Sequence, residues 1–178
     1  MSHRVLLGYH HELDEWRAAR IRDAGGVDFD SPVSDQGWER ITMGGVMTIE
    51  RWINARLLGK SCLVVLIGPA TAGCMWIDLA VRKAWRLGKG VVGVYIHNLG
   101  DRDGNQATKG VNPFDQISLG DEMLQLSGFV KAYDPPANTS DEVSIYIADH
   151  LEEWVEEAIA IRRAAPNERQ LQLTIRSV

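Results

Sequence analysis

Three runs of near-continuous apolarity punctuate the chain: residues 4–9 (RVLLGY), 61–68 (SCLVVLIG) and 90–97 (GVVGVYIH). Six to eight aliphatic-rich residues with glycine at their ends are what a strand covered on both faces presents. Two weaker runs join them, 27–29 ahead of Ser31-Pro32 and 128–133 ahead of Asp134-Pro135-Pro136. Between the strands the apolar period becomes helical. Val46, Ile49, Trp52, Ile53 and Leu57 recur ahead of Gly59, and Trp76, Ile77, Ala80, Val81 and Ala84 recur ahead of Gly88. Glycine is a natural helix stop at both places. From Ser140 onward Val143, Ile147, Leu151, Trp154, Ala158 and Ile161 form one stripe, with the Ser140 hydroxyl expected to cap the first turn. Residues 13–23 read as a less regular helix with Trp16 and Ile21 facing inward. Strands alternating with helices predict an α/β fold: a five-stranded parallel sheet with helices on both faces. The stretches 30–45 and 98–118 read as long loops, and structureless loops of that length are more often functional than idle.

Composition narrows the class. At 178 residues and 45% hydrophobic, the chain can build one core, expected over residues 1–165, followed by a polar tail at 166–178. That tail ends in LQLTIRSV and could be disordered or add a strand to a partner. A net charge of -5 argues against broad capture of nucleic acid or anionic membrane. The longest apolar run is too short for a bilayer, and the first residues lead straight into a strand with no apolar signal segment. Two cysteines, Cys62 and Cys74, suit a reducing compartment better than a disulfide framework. The expectation is a cytoplasmic protein.

Most catalytic signatures are absent. There is no Walker loop and no Gly-x-Gly-x-x-Gly; Gly25-Gly26 and Gly44-Gly45 read as turns. Asp101-Arg-Asp103-Gly-Asn105 places its glycine too early for a calcium loop. His10 and His11, if they extend the first strand, point to opposite faces and cannot share a metal. No Cys/His spacing supports zinc, and neither cysteine has an evident basic setting, so no metal or nucleophilic triad is expected.

What remains is position. In an open parallel sheet, ligands bind beyond the carboxyl ends of the strands where the strand order reverses. For the order 2-1-3-4-5 that point lies between strands one and three. Gly8, Tyr9 and His10 follow the first strand there, Thr71 follows the third, and Trp76 opens the next helix. The 30–45 stretch, carrying Asp35, Trp38 and Glu39, leaves strand two on the same rim. The plain alternative is that Tyr9 and Trp76 only pack the end of the sheet.

Several segments resemble the TIR-like domain of the bacterial Thoeris antiphage defence system. They are GYHH after strand one, Gly37-Trp38-Glu39, IERWI at 49–53, VVLIGPATA with Trp76 behind it, KAWRLGKGVVGVYIHNL at 83–99, and GVNPF at 110–114. The similarity runs from about residue 4 to about 150. It implies a flavodoxin-like TIR fold and cleavage of the nicotinamide–ribose bond of NAD⁺, with NAD⁺ as substrate rather than cofactor. It further implies a cyclic ADP-ribose-type messenger that diffuses to a partner effector. Tyr9 and Trp38 would wall or stack on the nucleotide, and Thr71 with nearby backbone N–H groups would hold phosphate or ribose. Gly8, His10, Asp35, Glu39 and Trp76 complete the expected pocket.

One position departs from the family. Its helix reads Trp, three residues, then a catalytic Glu; here the run is Trp76-Ile77-Asp78-Leu79-Ala80. Residues 76 and 80 share a helix face, so Ala80 stands where the carboxylate should point, and Asp78 lies about 200° round the helix. The chain is therefore expected to be inactive, either as a natural pseudoenzyme or as an engineered Glu→Ala form. The alternative class is a non-catalytic TIR-like module acting by self-association, as a homo-oligomer, or by nucleotide binding. A receiver domain on the same fold is disfavoured, because Gly8-Tyr9 and Gly68-Pro69 lack the acids it needs.

Overall fold

The computed structural model describes residues 2–120 and 124–166. Five parallel strands, β1 (Arg4–Gly8), β2 (Asp28–Phe29), β3 (Cys62–Ile67), β4 (Gly90–Tyr95) and β5 (Ala132–Tyr133), make one sheet in the order β2-β1-β3-β4-β5. Every residue of β3 is buried, as its unbroken apolar run requires. Alternate side chains serve opposite faces: Leu63, Val65 and Ile67 join one core, while Cys62, Val64 and Leu66 join the other. The flavodoxin-like α/β arrangement is thus the observed fold. The edge strands are shorter than their sequence runs. Residues 126–128 form a 3-10 turn, so only Ala132–Tyr133 pairs with β4.

Helices α3 (Val46–Leu57) and α4 (Met75–Arg86) cover the first face; α1 (His11–Ala24) and α5 (Ser140–Ala164) cover the second. Gly59 and Gly88 end α3 and α4 at φ 72° and 74°, the left-handed conformation that only glycine adopts at little cost. The cap of α5 differs from expectation. Thr139, not Ser140, accepts the N–H of Glu142, and the Ser140 hydroxyl instead accepts the N–H of Gly100.

Two further expectations are corrected. The 30–45 stretch is not a loop throughout: α2 (Asp35–Met43) occupies it, with the Ser34 hydroxyl accepting the Gly37 N–H at 3.1 Å. Trp16 faces outward at 50% exposure, because His11, Asp14, Ala18 and Ile21 set the inner face of α1 and residue 16 lies off it. That inner face is partly polar, which is why the apolar stripe of α1 looked irregular. Asp14 is fully buried and paired with Arg17, whose Nε donates to the Leu99 carbonyl at 2.9 Å and whose Nη2 donates to that of Asn105 at 3.1 Å. This pair fastens α1 to the segment after β4. Farther along, Asn112 accepts the N–H of Phe114, and the buried Phe114 ring joins the core on the face covered by α3 and α4. Apart from Pro166, the 166–178 tail lies outside the described residues. No helix among the described residues is long and apolar enough to cross a membrane.

Candidate functional site

The strand order reverses at β1, where β2 lies on one side and β3 on the other. A cavity of about 1090 Å³ opens at this switch point. That volume lies just above the usual range for small-molecule sites, roughly 300–1,000 Å³. The carboxyl end of β1, the first turns of α1 and α4, α2, and one face of α3 make its wall.

Most of the residues picked out in the sequence meet here. Gly8, Tyr9, His10, Asp35, Trp38, Glu39, Trp76 and Ala80 all line the cavity. Thr71 does not, which corrects its expected role. It is 1% exposed; its hydroxyl accepts the Gly68 N–H at 2.8 Å and donates to the Leu66 carbonyl at 3.1 Å, so it staples its own turn. Ala80 sits beside Trp76 and Ile77 on the α4 wall, presenting a methyl group. Asp78 lies off that wall, in an ion pair with Arg82 at 3.1 Å.

The histidines are arranged differently from expectation. The chain turns after Gly8, so His10 precedes α1 and His11 is its first residue. His11 is 9% exposed and stacks on Trp38 with ring centroids 5.4 Å apart. Its Nε2 lies 3.0 Å from Asp35 and its Nδ1 3.7 Å from Glu15. Trp38 meets Trp52 edge-on at 5.7 Å, and the Arg56 guanidinium lies over the Trp52 ring. This chain of rings ties α2 to α1 and α3, although α2 itself buries no residue.

Behind Tyr9 lies a polar knot. The Tyr9 hydroxyl donates to Glu15, and Arg22 donates to the other Glu15 oxygen at 2.5 Å. Burial, reinforced by the neighbouring Glu15, pushes the Tyr9 hydroxyl up to about 12, so it remains a neutral donor at physiological pH. On the α3 side, Asp30 is held between Arg56 at 2.6 Å and Lys60 at 2.8 Å. Opposite, residues 101–105 form a tight turn in which Asp101 accepts the N–H groups of Asp103 and Asn105. This carboxylate serves its own backbone. Among the described residues no group of three or more His, Cys, Asp or Glu could hold a metal, and both cysteines are free thiols.

His11, Glu15, Arg22, Trp52 and Arg56 line the cavity but were not singled out from sequence. The signal was available for the first three. Spacings of four and seven along one helix put residues 11, 15 and 22 on one face, once α1 is started at residue 11 instead of 13.

Two likenesses bear on the site. The family model described as the TIR-like domain of the Thoeris protein ThsB matches residues 7–101. That span contains the carboxyl end of β1, α1 to α4 and every residue proposed for the cavity from the sequence. A protein of Bacillus cereus (strain MSX-D12) named "Putative cyclic ADP-D-ribose synthase ThsB1" is 28% identical over 127 residues, covering 66% of this chain and 64% of that protein. The chain thus spans a little under two thirds of that relative's length.

Proposed function

The chain belongs to the Thoeris ThsB TIR-like domain family, and on that premise we propose that the cavity at the β1/β3 switch point takes NAD⁺ or an ADP-ribose-type nucleotide. The observation that carries this reading is convergence. Residues drawn from four separate segments, Tyr9, Trp38, Trp76 and Ala80 among them, wall one cavity. In an enzyme of this kind NAD⁺ is the substrate and no resident cofactor is needed. Nicotinamide leaves as a neutral molecule, so a strong acid is unnecessary. The ribose passes through an oxocarbenium-like state, which a facing carboxylate stabilises. Rings such as Tyr9 and Trp38 would exclude water and favour cyclisation over hydrolysis. The cyclic product would act as a diffusible messenger to a partner effector in antiviral defence, within the cytoplasm.

Ala80 interrupts this chemistry. The α4 wall offers no oxygen at the position where the resemblance puts glutamate, and Asp78 is committed to Arg82. We therefore read the chain as a nucleotide-binding form that does not turn over. Nicotinamide release from NAD⁺ by this chain and by Ala80→Glu, at high protein concentration, tests it. Activity in the variant alone is expected; equal activity in both would remove residue 80 from the mechanism.

A second reading is a non-catalytic module that acts by self-association. The observation in its favour is the elbow between α2 and α3, where Met43, Val46 and Met47 are 80%, 53% and 67% exposed. Concentration-dependent assembly, together with an inert Ala80→Glu variant, would favour it.

A further inference from the structure

With Ala80 on α4, the carboxylates left on the cavity wall differ sharply in what they can do. Asp35 is 95% exposed and faces solvent beyond His11, and Glu12, Glu39 and Asp103 are exposed as well. Asp30 is the more enclosed, with its side chain 20% exposed and a full cation, Arg56 or Lys60, at ion-pair distance on each oxygen. Asp101 is consumed by its own turn. Glu15 is the exception: it lines the cavity with 31% side-chain exposure, so it is sheltered yet reachable.

Its surroundings hold it still. Tyr9 donates to Oε2, Arg22 donates to Oε1 at 2.5 Å, and His11 stands 3.7 Å from Oε2. An ionised carboxylate has about four acceptor positions, and these donors leave room for more. Because a carboxylate offers only acceptors, the ligand groups it meets must be donors. Phosphate oxygens are excluded; sugar hydroxyls fit, and two neighbouring hydroxyls match two coplanar oxygens. The Tyr9 ring beside it supplies an apolar wall for the base or nicotinamide attached to that sugar. Fixed geometry also removes the ordering cost that a free surface glutamate would pay on binding.

We propose that Glu15 is a ligand-binding residue that accepts hydrogen bonds from a ribose diol of the bound nucleotide. This rests on the nucleotide-binding reading of the cavity. Glu15 thereby favours a nucleotide with an intact ribose diol over its deoxy counterpart, and it gives the cavity a sugar contact that does not depend on residue 80.

Calorimetric titration of the full chain with NAD⁺, and with NAD⁺ analogues lacking the 2′- and 3′-hydroxyls on one ribose or the other, tests this. The intact chain should bind one of the deoxy analogues roughly tenfold more weakly than NAD⁺, the scale of a lost hydrogen bond to a charged group. Glu15→Gln should weaken NAD⁺ by a similar factor while leaving that analogue within about twofold. A mere staple for Tyr9 and Arg22 would weaken NAD⁺ and the analogue equally, which overturns the proposal. If Glu15→Gln does not fold, equal binding of NAD⁺ and both analogues by the intact chain overturns it without any variant. No NAD⁺ binding by the intact chain would instead overturn the nucleotide reading itself, and this proposal with it.

Discussion

Two stacks of aromatic rings flank the sheet, and they do different work. On the far edge Tyr133 lies flat on Trp154 with centroids 4.5 Å apart, and Trp154, His150 and Tyr146 continue the column along α5. On the near edge Tyr9, His11, Trp38 and Trp52 form a column of similar length. The far column rests on a helix that buries Val143, Ile147, Leu151 and Val155, so its rings complete a core. The near column rests on α2, which buries nothing, and its rings border a cavity. Aromatic stacking therefore does not by itself mark a site. What marks one is stacking that leaves space beside it and sets charged groups, here Glu15, Arg22 and Arg56, along that space.

The contrast is sharpest in what a lost ring should cost. Trp154→Ala is expected to destabilise the fold by about 3–5 kcal/mol, the usual range for a buried tryptophan, while leaving NAD⁺ affinity of the folded protein within about twofold. Urea denaturation and titration read the two effects; a loss below about 1 kcal/mol would erase the distinction. Trp38→Ala should behave in reverse. Affinity falls at least roughly tenfold, about 1.4 kcal/mol, while global stability changes by less than that. Equal losses from both substitutions would mean that the near column is simply more core.

Smaller changes probe how α2 is held. Ser34→Ala removes the hydroxyl that caps α2, at a cost of about 1 kcal/mol. Hydrogen exchange should show faster exchange confined to residues 37–43 with the global melt unchanged. A last expected effect is on alkaline stability. Tyr9 is raised from 10.0 to about 12 in the folded protein, chiefly by burial, so its contribution is complete below pH 10 and disappears as the pH climbs towards 12. Tyr9→Phe should flatten the fall in stability across that window. Tyr133, also raised by burial and by Glu157, leaves a residual slope in both proteins.

The legible part of the molecule was the part in which burial and period coincide. Near-continuous runs identified β1, β3 and β4, and the stripes ahead of Gly59 and Gly88 gave α3 and α4 within a residue or two. Strand order, taken as a condition in the sequence reading, places the cavity where the observed sheet reverses. The misses share a cause. Helix α2 buries no residue fully, and its inner face rests on Trp38 and Ile41 within nine residues, too short a stretch for the period to stand out from a loop. The inner face of α1 carries Asp14 and Arg17, a buried pair that apolar counting passes over, and this shifted both its start and the direction assigned to Trp16. Thr71 was chosen for its place in the chain, and its hydroxyl is taken up by backbone three and five residues away. The resemblance singled out Ala80, and helical spacing placed it on the face of Trp76. Helical spacing puts Glu15 on one face with His11 and Arg22, but what sets it apart from them is that Tyr9 and Arg22 close around it.

Occupation of the near cavity is read most directly from the tryptophans themselves. Trp16, Trp38, Trp52 and Trp76 line it, whereas Trp85 and Trp154 lie in the packed cores, giving six indole N–H signals in two classes. In a two-dimensional NMR titration with NAD⁺, the signals of Trp38 and Trp76 should shift and saturate together, with those of Trp85 and Trp154 unmoved. Saturating shifts at Trp154 with a silent Trp38, or no shift at any indole at millimolar NAD⁺, would contradict a nucleotide site at the β1/β3 switch point.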